Sequence, residues 1–236
     1  RNSKSKRRHG QDNDTHNPGV QLARDAKKQV LLLNLDARRN LSEYLALDPQ
    51  TLKRTVFDVL AGSVSIADAK STLEQDLDIL PANIRLAEVE WTFAGEWEGK
   101  SAKESSHHDY VQIDCPPSLG LLTVNALNAA NGLLIPVQVK YSTLAGLALI
   151  SAGSKFARDL DSDLAIFGLV STFFDDRTLN KERLQPSRTN EENIVLTPIR
   201  DNVSLVETLS NGQNVFIYKK GSYDAKDCVA LATKFL

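Results

Sequence analysis

Residues Asp109 to Gln138, DYVQIDCPPSLGLLTVNALNAANGLLIPVQ, constrain the fold more than any other stretch. An apolar run from Tyr110 to Ile113 stops at Asp114 and meets Pro116, Pro117 and Gly120 directly afterwards. That pattern reads as a buried strand delivering a carboxylate to a turn. Leu121, Leu122, Val124, Leu127 and Ala130 then recur at helical spacing, Gly132 ends the pattern, and a second apolar run covers Leu133 to Val137. Strand, helix and strand make a βαβ unit, and open α/β sheets bind ligands in the crevice outside the carboxyl ends of their strands. Asp114 is therefore the first candidate site residue. A strand-end Asp also serves as an ordinary turn cap, so the position alone defines an α/β protein and no particular chemistry.

The chain offers room for one such domain. Its 236 residues suit a single core, and 42% hydrophobic with 25% charged residues is the balance of an ordinary globular protein. No apolar run approaches the ~18 residues that a membrane-spanning helix needs, and a cytoplasmic protein with no membrane partner is expected. Cys115 and Cys228 stand far apart and in no metal-binding spacing, which excludes a disulfide framework or zinc site as the organising element. His107 and His108 are adjacent, so they do not share a helix face as metal ligands would. A net charge of −2 creates no global field toward nucleic acid. The first eight residues, RNSKSKRR, nevertheless hold five positive charges, and residues 1–17 are polar throughout. The absence of methionine and the start at Arg1 lead us to expect a fragment, a processed product or a sequence not fully assigned from its gene.

Other segments repeat the alternation of apolar runs and helical patterns. A helix is expected through Val20, Leu22, Ala23 and Ala26, followed by the run VLLLNLDARRN from Val30 to Asn40, a second strand ending in polar and acidic residues. Short helices are expected over Leu41 to Leu47 and Thr55 to Ala61, a strand over Leu77 to Leu80, and a helix from about Ile84. Beyond Gln138 a helix from about Ser142 to Arg158 precedes the strand Leu164 to Phe174, another apolar run begins at Ile194, and Ser222 caps a closing amphipathic helix. The expected fold is α/β, a doubly wound and mainly parallel sheet with helices on both faces in one domain over residues 1–236.

These residues carry a resemblance. DYVQIDCPPSLGLLTVNAL followed by LIPVQ resembles, without a gap, the Walker B strand, helix and next strand of the ParA/Soj partition ATPases, relatives of MinD in the deviant Walker A group. VLLLNLDARRN is similar to the family's VLLIDLDPQGN, with Asn34 in place of the first acid and Asp36 as the second. The resemblance implies ATP or ADP with Mg²⁺ as cofactors. It implies Asp114 as the acid that holds Mg²⁺ through water and Asp36 as the residue that orients the attacking water. Asp175 and Arg177, in FFDDRT, match residues that help close the dimer and the adenosine side, and Asn202 matches the adenine-contacting turn. A homodimer, a ParB-type partner protein and nonspecific DNA are the implied partners, with nucleoid association where DNA is bound. Asp201 and Ser204 replace basic residues of the family, Ser204 at a position linked there to DNA contact.

The phosphate-binding loop departs furthest. In the family it reads KGGxGKTT, and backbone N–H groups of such a loop cradle phosphates while its lysine neutralises them. Counting back from Val30, the same place here holds RHGQDNDT, Arg8 to Thr15, with Gly10 as the remaining glycine and Asp12 where the lysine is expected. Two readings follow. One is a ParA/Soj-like plasmid or chromosome partition protein, an ATP-dependent dimer acting on DNA with a ParB-type partner. The other is a pseudo-ATPase of the same fold that binds or dimerises without turnover.

Overall fold

Val30–Asn34 forms β1, whose five residues are all buried. A strand can be buried throughout only when both its faces are covered. Val30 and Leu32 accordingly enter one hydrophobic cluster, while Leu31, Leu33 and the following Leu35 enter another. In the computed structural model the described residues are 19–24, 26–37, 47, 51–89, 107–116, 118, 120–138, 164–174, 196–200 and 221–235. The expected helices at Leu41 to Leu47 and Ser142 to Arg158 lie largely or wholly outside them.

Among the described residues helix α1 comes first, helical at residues 19–24 and 26, and it seats Val20, Leu22 and Ala23 against the sheet. Gly19 in this helix approaches the sheet closely: a Cβ added there would lie 2.9 Å from Leu32 Cδ2 and 2.5 Å from Gln112 Oε1. After β1, Thr55 caps helix α2 (Val56–Leu60), its backbone N–H donating to Asp58 Oδ2 at 2.9 Å. Ser65 caps a single-turn helix, α3 (Ile66–Ala69), by accepting from the Asp68 N–H.

Strands β2 (Ser71–Glu74) and β3 (Leu77–Leu80) then form an antiparallel hairpin, and Asp76 in its turn takes a left-handed φ of 64°. The sequence reading anticipated β3 but neither α3 nor β2. Four residues of half-exposed STLE carry no periodic signal, and only pairing with β3 makes them a strand. A 3-10 turn, Ile84–Glu88, begins where a helix was expected.

The stretch from Asp109 supplies β4 (Tyr110–Asp114), helix α4 (Leu121–Ala129) and β5 (Gly132–Gln138). The first sheet runs β2-β3-β1-β4, with β1 parallel to both β3 and β4. A second sheet runs β5-β6-β7, all parallel, where β6 is Ala165–Phe174 and β7 is Leu196–Arg200. The closing helix α5 (Tyr223–Ala232) starts on Ser222, whose Oγ accepts from the Ala225 N–H at 3.3 Å.

One hydrophobic cluster joins the sheets. Val30, Leu32, Leu77 and Ile79 of the first meet Val170 and Ile199 of the second, together with α1 and with Ala225, Cys228 and Leu231 of α5. On the opposite face of the first sheet α2 and α4 cover Leu31, Leu33 and Leu80. Helices thus lie on both faces of mainly parallel strands, the doubly wound α/β arrangement.

Two details differ from expectation. β4 is half-buried along its length, where a buried strand was expected. Gly132 opens β5 instead of stopping the helix. A Cβ there would fall 2.1 Å from the Phe167 ring, so the missing side chain makes room for the neighbouring strand.

Candidate functional site

Parallel register brings the two acid-ended strands together. β1 and β4 are adjacent, Asn34 is the Cα partner of Asp114, and the ladder extends one step further through the Leu35 N–H, which donates to Asp114 O at 2.8 Å. Side chains at paired positions of neighbouring strands project from the same face, with strands about 4.8 Å apart. The Asn34 carboxamide and the Asp114 carboxylate therefore share one face at the carboxyl edge. Asp36 follows two residues later, beyond the end of β1.

The exit from β1 is held locally. Asn34 is fully buried, and its Oδ1 accepts from the Asp36 backbone N–H at 2.9 Å. This is an Asx turn, in which a short polar side chain takes the place of a backbone carbonyl. Asp36 itself is only 5% exposed. Asp114 is half-buried, and its charge acts on the next residue: burial, reinforced by Asp114, pushes the Cys115 thiol up to about 12.

Of the residues expected at the site, the structure brings Asp36 and Asp114 to one edge. Asp175, Arg177 and Asn202 lie outside the described residues, as does the segment Arg8 to Thr15 that would face phosphate. Sequence reasoning treated Asn34 as a lost acid and missed its hydrogen bond. The spacing Asn-x-Asp after an apolar run was the available signal for an Asx turn.

A second polar group sits at the amino end of the same sheet. Asp78 accepts from Lys70 Nζ at 2.5 Å and Thr72 Oγ1 at 2.7 Å, and His108 Nε2 lies 3.0 Å from it. Burial alone would raise the Asp78 pKa. The three hydrogen bonds and the Lys70 charge outweigh it and hold the carboxyl below its ordinary 3.8. No cluster of three His, Cys, Asp or Glu side chains suited to a metal occurs among the described residues.

A doubly wound, mainly parallel sheet with Asp36 and Asp114 at the carboxyl edge of two adjoining strands defines the class by its fold: an open α/β protein whose site lies outside its strand ends. The family described as an AAA domain matches residues 10–166, well over half of the chain. The sporulation initiation inhibitor protein Soj of Bacillus subtilis is 35% identical over 215 residues, covering 87% of this chain and 85% of Soj. The chromosome partitioning protein ParA of Caulobacter vibrioides is 32% identical over 214 residues, covering 86% and 80%. Among solved structures, a cobyrinic acid a,c-diamide synthase from Mycobacterium smegmatis with bound ADP and magnesium superposes with a TM-score of 0.78. It is 27% identical and covers 95% of this chain and 88% of that one. The chain belongs to the Soj/ParA family of partition ATPases within the AAA domain group.

Proposed function

We propose that this chain is a Soj/ParA-type plasmid or chromosome partition protein that holds Mg²⁺ and an adenine nucleotide at the carboxyl edge of β1 and β4. The observation that carries this reading is the adjacency of Asp114 and the Asp36 loop, tied by the Leu35-to-Asp114 hydrogen bond. The donor set fits Mg²⁺, which prefers carboxylate oxygen and retains several of its waters. Asp114 would hold the ion through water. Mg²⁺ bound there supplies positive charge against the nucleotide phosphates. Asp36, fixed at its backbone by Asn34, would orient the attacking water. Asp175 and Arg177 would serve the dimer contact and the adenosine side, and Asn202 the adenine.

The phosphate-binding loop is where this chain departs from the family pattern. Phosphoryl transfer relies on positioning and charge stabilisation, so a loop with Asp12 in place of a cation lacks the main electrostatic partner of the reaction. The protein would then act chiefly through nucleotide-dependent dimerisation and a ParB-type partner. DNA contact would be nonspecific, through cations such as Lys219 and Lys220. The test is Mg²⁺-dependent binding of a fluorescent ATP analogue, with phosphate release measured in parallel, on protein whose mass matches these 236 residues. Binding that is lost in Asp114→Asn, with turnover near background, is expected. No Mg²⁺-dependent binding sinks the nucleotide reading, and brisk turnover abolished by Asp36→Ala sinks the slow-turnover reading.

A further inference from the structure

Asn34 combines three properties on one side chain. It is 0% exposed, its Oδ1 accepts from the Asp36 N–H at 2.9 Å, and it is the cross-strand partner of Asp114. The hydrogen bond fixes the backbone direction in which the chain leaves β1, and hence the place from which the Asp36 side chain starts. The register places the same carboxamide beside Asp114. A carboxylate at position 34 could make the same bond, but it would crowd a third negative charge into a buried edge and be costly to keep ionised there.

We propose that Asn34 is a positioning residue that sets the divalent-cation affinity of this edge, by holding Asp36 through an Asx turn while adding no negative charge of its own beside Asp36 and Asp114. The inference rests on the proposed reading of this edge and adds to it that Asp36, besides orienting water, brings its negative charge to the cation held beside Asp114. It separates two roles that a single acid would combine. Shape comes from Oδ1 as an acceptor, which Asp retains and Ala lacks. Charge comes from the amide being neutral, which Asp reverses and Ala does not.

The experiment uses the full chain and Mn²⁺ in place of Mg²⁺, titrated with the free ion followed by electron paramagnetic resonance, alongside amide exchange at Asp36. Asn34→Ala should weaken Mn²⁺ binding about tenfold or more, the scale seen when a hydrogen-bond partner of a metal ligand is removed, and should accelerate Asp36 N–H exchange. Asn34→Asp should keep the slow exchange, bind Mn²⁺ more tightly than the unaltered chain and unfold at lower temperature without metal. Asn34→Ala binding Mn²⁺ like the unaltered chain while Asp114→Asn does not bind overturns this inference alone. Equal weakening by Ala and Asp reduces Asn34 to a packing residue and also overturns it. Failure of the unaltered chain to bind Mn²⁺ overturns the reading of the edge and this inference with it.

Discussion

The two ends of the four-stranded sheet treat a buried polar side chain in opposite ways. At the amino end Asp78 keeps its charge, and Lys70, eight residues earlier in the chain, brings a cation to it while Thr72 and His108 complete the hydrogen bonding. At the carboxyl end Asn34 stands as a neutral amide beside Asp114, and its hydrogen bond is spent on the backbone of Asp36. One end cancels charge and the other restrains it. An acid whose partners come from the start of its own hairpin and from the approach to β4 is serving stability. An edge that limits its own negative charge while gathering two acids is suited to receiving a cation from outside.

Breaking the amino-end pair gives the largest expected effect. Asp78→Ala should cost about 3 kcal/mol in denaturant unfolding, since it leaves a half-buried lysine and a buried histidine without their acceptor. Asp114→Asn, an isosteric change, should stay within about 1 kcal/mol, the range of substitutions that leave packing intact. Equal losses at the two positions would erase the distinction between the ends.

Acid sharpens the same contrast. Because the Asp78 carboxyl is held below 3.8, the folded chain binds its proton less readily than the unfolded chain. The stabilisation is complete above 3.8 and is lost as the pH falls through the lower folded value. Unfolding free energy measured from pH 5 to pH 2 should fall in the unaltered chain, and less steeply in Asp78→Asn. An unchanged slope would mean that other carboxylates dominate acid unfolding.

The smallest expected effect concerns Cys115 at the carboxyl edge. Its thiol is raised from 9.0 to about 12, so folding favours the protonated form. Stability from this group is full below pH 9.0 and declines as the pH rises toward about 12. Alkylation of Cys115 at pH 8 should be slow in the folded protein and accelerate on denaturation. Fast alkylation under native conditions would show that the Asp114 neighbourhood is more open than its burial implies.

The apolar runs before Asn34 and Asp114 announced two parallel strands because each ends abruptly in polar residues. Neither run says which strand lies beside which, and β3 joining β1 on its other side was equally silent. β2 escaped notice because its four residues acquire strand character only from β3. His108, read as half of an adjacent histidine pair, turned out to be a buried partner of Asp78 from thirty residues earlier.

What the sequence by itself determined was the alternation of apolar strands and helices, the acids that end two of those strands, and the family likeness those acids carry. These depend on short-range periodicity, which is written in the order of residues. Only the tertiary structure decided that Asn34 pairs with Asp114, that its carboxamide turns to the Asp36 N–H, and that Lys70, Thr72 and His108 converge on Asp78. Strand register and side-chain direction arise when separate elements bury one another, and no local pattern along a single chain specifies that choice.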